Sequence, residues 1–125
     1  MKIQIQINLE YAVIFLTDPY QEDTIPDDLG AQTISSSDNC VAIQVPPYFE
    51  GGATVVLSSE RPEGEQEPVF ETHLPVSTGA LSLSDSARFN YCMVPIAGEQ
   101  AHVKVWIDCP KPGEIWIMVE PILEY

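Results

Sequence analysis

Residues 3–16 read Ile3-Gln4-Ile5-Gln6-Ile7-Asn8-Leu9-Glu10-Tyr11-Ala12-Val13-Ile14-Phe15-Leu16. Ile3, Ile5, Ile7, Leu9, Tyr11, Val13 and Phe15 all fall on odd positions, while Gln4, Gln6, Asn8 and Glu10 take the even ones. Strand side chains alternate between two faces, so a period of two describes a strand with one face in a core and the other in water. From Ala12 the even positions turn apolar too (Ala12, Ile14, Leu16), which covers the end of the run on both faces. The run is long for one strand, and a bulge near Glu10 is expected.

The same pattern recurs in short pieces. Strands are expected at Gln32–Ser36, Cys40–Val45, Ala53–Ser58, Val69–Leu74, Ala80–Ser84, Arg88–Val94, Ala101–Ile107 and Glu114–Glu120. Turn chemistry separates them: Ser36-Ser37-Asp38-Asn39, Pro46-Pro47, Gly51-Gly52, Thr78-Gly79, Gly98 and Pro110-Lys111-Pro112-Gly113. Eleven prolines leave little room for helix. Only Pro26–Ala31 is compatible with one, as a turn at most. Evenly spaced short strands of this kind predict an all-β protein, an antiparallel β-sandwich of about 8–9 strands. A chain of 125 residues without a linker or repeat is expected to form a single domain over 1–125.

Charge narrows the partners. Nineteen acids against five bases give a formal net charge of −14. Lys2, Arg61, Arg88, Lys104 and Lys111 are spread singly, so no basic stripe can replace the counterions of a nucleic acid, and anionic membranes are equally poor partners. The alternating N-terminus lacks the unbroken apolar stretch of a secretory signal, and a cytoplasmic protein is expected. Cys40, Cys92 and Cys109 form no Cys-x-x-Cys pair and sit in or beside apolar runs, where small buried thiols are the expectation.

The acids are not scattered. Asp18, Glu22, Asp23, Asp27 and Asp28 lie in 18–28 with no base, and Glu60, Glu63, Glu65, Glu67 and Glu71 lie in 60–71 against Arg61. An unpaired buried carboxylate costs several kcal/mol, so both segments are expected to be solvated loops. The 18–28 loop also leaves calcium open, although it has neither an alternating Asp-x-Asp core nor a chelating-turn glycine. Between the prolines and Gly51-Gly52 stand Tyr48 and Phe49, either an exposed aromatic anchor or a hairpin tip folded back on the sheet. Trp106 and Trp116 are expected in adjoining strands as core or second-face residues, and would serve a glycan only if exposed. His102 alternates with Lys104 and Trp106 on an outer strand face with no evident acid partner, and His73 has no metal ligand at close spacing. There is no Gly-x-Ser-x-Gly elbow and no phosphate-binding Gly-rich loop, so neither a catalytic residue nor a cofactor is assigned.

The second half resembles the competence protein J-like family of nuclease inhibitors. The likeness is carried by Leu74-Pro75-Val76-Ser77-Thr78-Gly79-Ala80-Leu81-Ser82-Leu83-Ser84, then Arg88-Phe89, Pro95, Gly98 and Val103-Lys104-Val105-Trp106, and at the start by Tyr11 to Phe15 leading into an acidic loop. Where the family has a tyrosine between that glycine and the tryptophan, this chain has Gln100, Ala101 and His102. The resemblance implies a small acidic β-protein that binds and silences a nuclease, with no enzymatic residue carried over. Composition is compatible, because an acidic surface can stand in for phosphates in a basic cleft. The expectation is a non-catalytic inhibitor or immunity protein of a basic nuclease or nuclease toxin. Asp18, Glu22, Asp23, Asp27, Asp28, Glu60, Glu63, Glu65 and Glu67 would mimic phosphate, and Tyr48 and Phe49 would anchor. A calcium- or glycan-binding module and a phage-type antagonist of nucleic-acid-guided defence stay open.

Overall fold

The computed structural model describes residues 1–10, 13–20, 25–26, 33–87 and 89–123. Within them lie ten strands: β1 (Lys2–Ile7), β2 (Val13–Thr17), β3 (Ile34–Ser36), β4 (Cys40–Gln44), β5 (Ala53–Ser58), β6 (Phe70–Pro75), β7 (Ala80–Asp85), β8 (Asn90–Pro95), β9 (Gln100–Ile107) and β10 (Glu114–Glu120). They form two five-stranded sheets, ordered β1-β5-β10-β9-β6 and β3-β4-β2-β7-β8, called here the first and second sheet. The core lies between them, with Ile7, Val55, Val103, Val105 and Ile117 of the first sheet against Ile14, Leu16, Ile43, Leu81 and Leu83 of the second. The all-β sandwich expected from the alternation is therefore the fold. No helix among the described residues is long and apolar enough to cross a membrane.

The opening run is two strands in two sheets, so the expected eight or nine strands become ten. Ile7 ends β1 in the core, and β2 starts at Val13 in the facing sheet. Crossing from one sheet to the other moves the core to the opposite side of the chain, and the parity of the inward residues changes. In β1 the odd positions face inward. In β2 it is Ile14 and Leu16 that join the central core, while Val13 and Phe15 pack with Cys40 and Ala42 on the far face. The sequence pattern already held this switch, in the even positions that turn apolar after Glu10.

The sandwich is also not antiparallel throughout. β10 pairs with β9 in antiparallel fashion but with β5 in parallel, from Glu114 opposite Thr54 to Met118 opposite Ser58. β6 is antiparallel to β9, so β5 and β6 run the same way with two strands between them. Parallel strands cannot be joined by a hairpin; the chain must cross back over a face of the sheet. The inner face is taken by the core, and residues 59–69 therefore cross the outer one.

A buried carboxylate closes the turn between β7 and β8. Asp85 is 4% exposed and accepts hydrogen bonds from the backbone N–H groups of Ala87 (2.8 Å) and Phe89 (3.1 Å) and from the Tyr91 hydroxyl (2.8 Å). Burial first, and then the hydrogen bond to Asp85 and its charge, push the Tyr91 phenol up to about 12 from its ordinary 10.0. The folded state thus holds this proton more tightly than the unfolded chain. Its contribution to stability is complete below pH 10 and is lost as pH rises through 12. Chemical denaturation across that interval should show a decline in wild type that Tyr91→Phe lacks; equal slopes in both proteins would remove this assignment.

Candidate functional site

The segment crossing the outer face of the first sheet holds the second acidic cluster, and two tryptophans seat it. Trp116 of β10 and Trp106 of β9 are directly opposed across the strand pair and point away from the central core. They are 9% and 2% exposed, and form a second cluster with Val56 and Cys109. A buried indole needs an acceptor for its N–H. Trp116 Nε1 donates to the Glu60 carbonyl at 2.8 Å, and Trp106 Nε1 to the Gln66 carbonyl at 3.0 Å. The Gln66 carbonyl also accepts from the Arg61 guanidinium at 2.7 Å, and that guanidinium lies 5.9 Å from the centre of the Trp106 ring. Pro62 of the strap is itself buried.

This geometry sorts the charges. The one base of the strap, Arg61, is turned back onto Trp106 and the strap's own backbone. Glu60, Glu63, Glu65 and Glu67 are exposed. The strap is thus an anionic ribbon fixed at both ends, unlike a free solvated loop, and its four carboxylates share one face of the molecule. Cross-strand register puts Glu71, Glu114 and Glu120 on that same face, with Lys2 and Lys104. Lys2 Nζ stands 5.2 Å from the centre of the Trp116 ring. The outer face of the second sheet is different in kind, carrying Val13, Phe15, Ala42, Ser82 and Met93.

Beside the strap, His102 has the acid partners that sequence spacing did not reveal. Its Nε2 meets the Glu71 carboxylate from β6, its Nδ1 lies 3.5 Å from Glu120 Oε1 of β10, and the His73 ring stacks on it at 4.3 Å and 10°. The signal was present, since Glu71 and His73 alternate on β6 as His102 and Lys104 do on β9. The register that joins them was not.

The aromatic tip is exposed. Tyr48–Glu50 form one turn of 3₁₀ helix, and Tyr48 and Phe49 are 56% and 67% exposed, packed edge to face with ring centres 5.5 Å apart. The tip is held from behind by Tyr48 N–H donating to the Leu9 carbonyl (2.9 Å) and by Gly52. Gly52 has φ +68, and a Cβ there would stand 2.2 Å from Asn8 Oδ1 and 2.7 Å from the Ile7 carbonyl oxygen, so only glycine fits. The turn leaves the sandwich at the end where the strap finishes, beside the start of β5.

Asp18 corrects the expectation of a solvated carboxylate. It is 4% exposed and sits at the opposite end, after β2. Oδ1 accepts from Thr78 Oγ1 (2.5 Å) and the Tyr20 N–H (3.0 Å), and Oδ2 from the Thr78 N–H (3.0 Å). Three donors offset the cost of burying it, so it is a structural fastener between β2 and the β6–β7 turn. Glu22, Asp23, Asp27 and Asp28 lie outside the described residues. Both tryptophans lie beneath the strap, so they do not form the open platform that glycan binding would need.

No protein-family model and no curated protein matches this chain. Solved structures do. The chain is similar in fold to ComJ from Bacillus subtilis, described as an inhibitor of the DNA-degrading activity of NucA, with a TM-score of 0.63 over 95% of this chain and 93% of that one at 8% identity. It is also similar to the product of crocagin biosynthetic gene J, with a TM-score of 0.56 over 96% and 95% of the two chains at 13% identity. At these identities the likeness is one of fold.

Proposed function

We propose that this protein is a non-catalytic inhibitor, of the immunity-protein kind, that occupies the cationic cleft of a nuclease. The observation that carries the reading is the strap. Glu60, Glu63, Glu65 and Glu67 are exposed on a backbone pinned to two buried indoles, while the strap's own guanidinium, Arg61, is turned back onto that backbone. A fixed row of carboxylates loses little freedom on binding and presents a field that a phosphate-gripping cleft is built to receive. The fold shared with ComJ, itself a nuclease inhibitor, points the same way. Tyr48 and Phe49, exposed on a rigid turn, supply the apolar anchor.

Affinity capture from the source cells, followed by DNA-degradation assays with the captured protein, tests this. The expected partner is a basic nuclease whose activity falls as this protein is added. Its affinity should weaken steeply with salt, since charges farther apart than a Debye length of about 8 Å at physiological ionic strength are screened. A chain carrying Glu60→Gln, Glu63→Gln, Glu65→Gln and Glu67→Gln should bind about a hundredfold more weakly, taking somewhat under 1 kcal/mol for each exposed charge. It should also show a flatter salt dependence. A neutral or acidic partner, undiminished DNA degradation, or salt-independent affinity would overturn the proposal.

A further inference from the structure

Two sheets have four edges, and three of them are guarded. β3 is only three residues long. β8 ends in Pro95, is out of register with β7 at Leu83/Ser84, and has its Pro95 carbonyl taken by the Leu123 N–H. β6 carries the exposed Glu71 and ends in Pro75. These are the devices by which proteins keep sheet edges from pairing with other chains.

β1 has only one of them, the exposed Lys2 at its very start. It is a regular six-residue strand, Lys2-Ile3-Gln4-Ile5-Gln6-Ile7, paired along its whole length with β5 and by no described strand on its other side. It has no proline and no bulge. Ile3 and Ile5 point toward the core yet are only half-buried, so the core is open along this margin. Residues 1–9 contain no acid, although the chain as a whole carries −14.

We infer that β1 is a homodimer edge, on which a second copy of this chain adds its own β1 in antiparallel fashion about a two-fold axis. The sequence is self-complementary in that arrangement. With Gln4 on the axis, Lys2 faces Gln6 of the other copy, Ile3 faces Ile5, and Gln4 faces Gln4. In this register Gln4 meets Gln4 and the Lys2 ammonium meets the Gln6 amide on the outer face, isoleucine meets isoleucine on the inner one, and no like charges are opposed. The half-exposed rim of each core is covered by its counterpart. A cationic strand would find no carboxylate here and the Lys2 ammonium instead, so this margin does not suit the basic partner proposed above. The strap leaves β5 beside this margin, with the Ser59 N–H on the Met1 carbonyl at 3.2 Å, and then runs inward, its Glu60 and Gln66 carbonyls held by Trp116 of β10 and Trp106 of β9. Dimerisation therefore leaves the strap open, and this inference stands whether or not the nuclease reading does.

Sedimentation equilibrium on the full chain at about 0.15 M and about 1 M salt separates the two ideas. The net charges of two copies repel, and screening that repulsion should raise the dimer fraction with salt, opposite in sign to the partner binding above. The expected species approaches twice the 13.8 kDa of one chain. Gln4→Glu and Gln4→Lys change an exposed side chain, leave the thermal unfolding of the monomer intact, and should each sediment as monomers. An equal mixture of the two should restore the dimer. A wild-type protein that is monomeric at both salt concentrations, or a Gln4→Glu chain that dimerises like wild type, would overturn the inference.

Discussion

Replacing Trp106 by alanine should destabilise the protein by about 3–5 kcal/mol, the range for removing a large aromatic from a packed site. The midpoint of urea unfolding should move accordingly with an unchanged slope, and the thermal midpoint should drop by about 10 °C or more at this chain length. The indole is 2% exposed, holds the Gln66 carbonyl, and carries Arg61 on its face. Its removal opens a cavity under the strap and frees Arg61 to move among the glutamates it now avoids. Affinity for the captured nuclease should therefore fall as well, although no carboxylate has been touched. Trp106→Phe keeps most of the volume and deletes only the N–H donor, so its cost should be near 1 kcal/mol. A loss below 1 kcal/mol for Trp106→Ala would mean that the strap rests on something other than the tryptophan.

The second large effect is expected at Asp18, where a surface acid would give almost none. Asp18→Ala leaves the Tyr20 and Thr78 N–H groups and the Thr78 hydroxyl without their acceptor in a site that water barely reaches. Bonds to an ionised acceptor are the stronger kind, and a loss of about 3 kcal/mol is expected. Thr78→Val removes one of the same bonds. The double variant should consequently cost clearly less than the two single losses added, with a coupling of about 1 kcal/mol measured by urea unfolding. Nuclease affinity per folded molecule should be unchanged in Asp18→Ala. Full additivity, or a specific loss of binding, would return Asp18 to the contact surface.

Asp18 also shows where reading the sequence stops. A carboxylate in a run with Glu22, Asp23, Asp27 and Asp28 looks like one more solvated charge, because composition averages over neighbours along the chain. What matters is Thr78, sixty residues away. The His102 cluster was hidden for the same reason, its partners lying on β6 and β10. By contrast Ala53–Ser58 and Glu114–Glu120 were legible to the residue, since strand alternation and the turns that bound it are local properties.

The sequence by itself determined that this is a two-layered β protein with ten of its nineteen acids gathered into two segments and an aromatic pair between glycines and prolines. Period-two burial and turn chemistry act over a few residues, so they survive without a partner in view. Only the tertiary structure decided that the first long run splits between two sheets and that β5 and β6 are parallel. That shared direction, with β10 and β9 between the two, forces residues 59–69 across the outer face onto Trp116 and Trp106. Strand order and direction are settled by which surfaces find each other across the whole chain, and it is this settlement that pins the glutamates of 60–67 to two buried indoles.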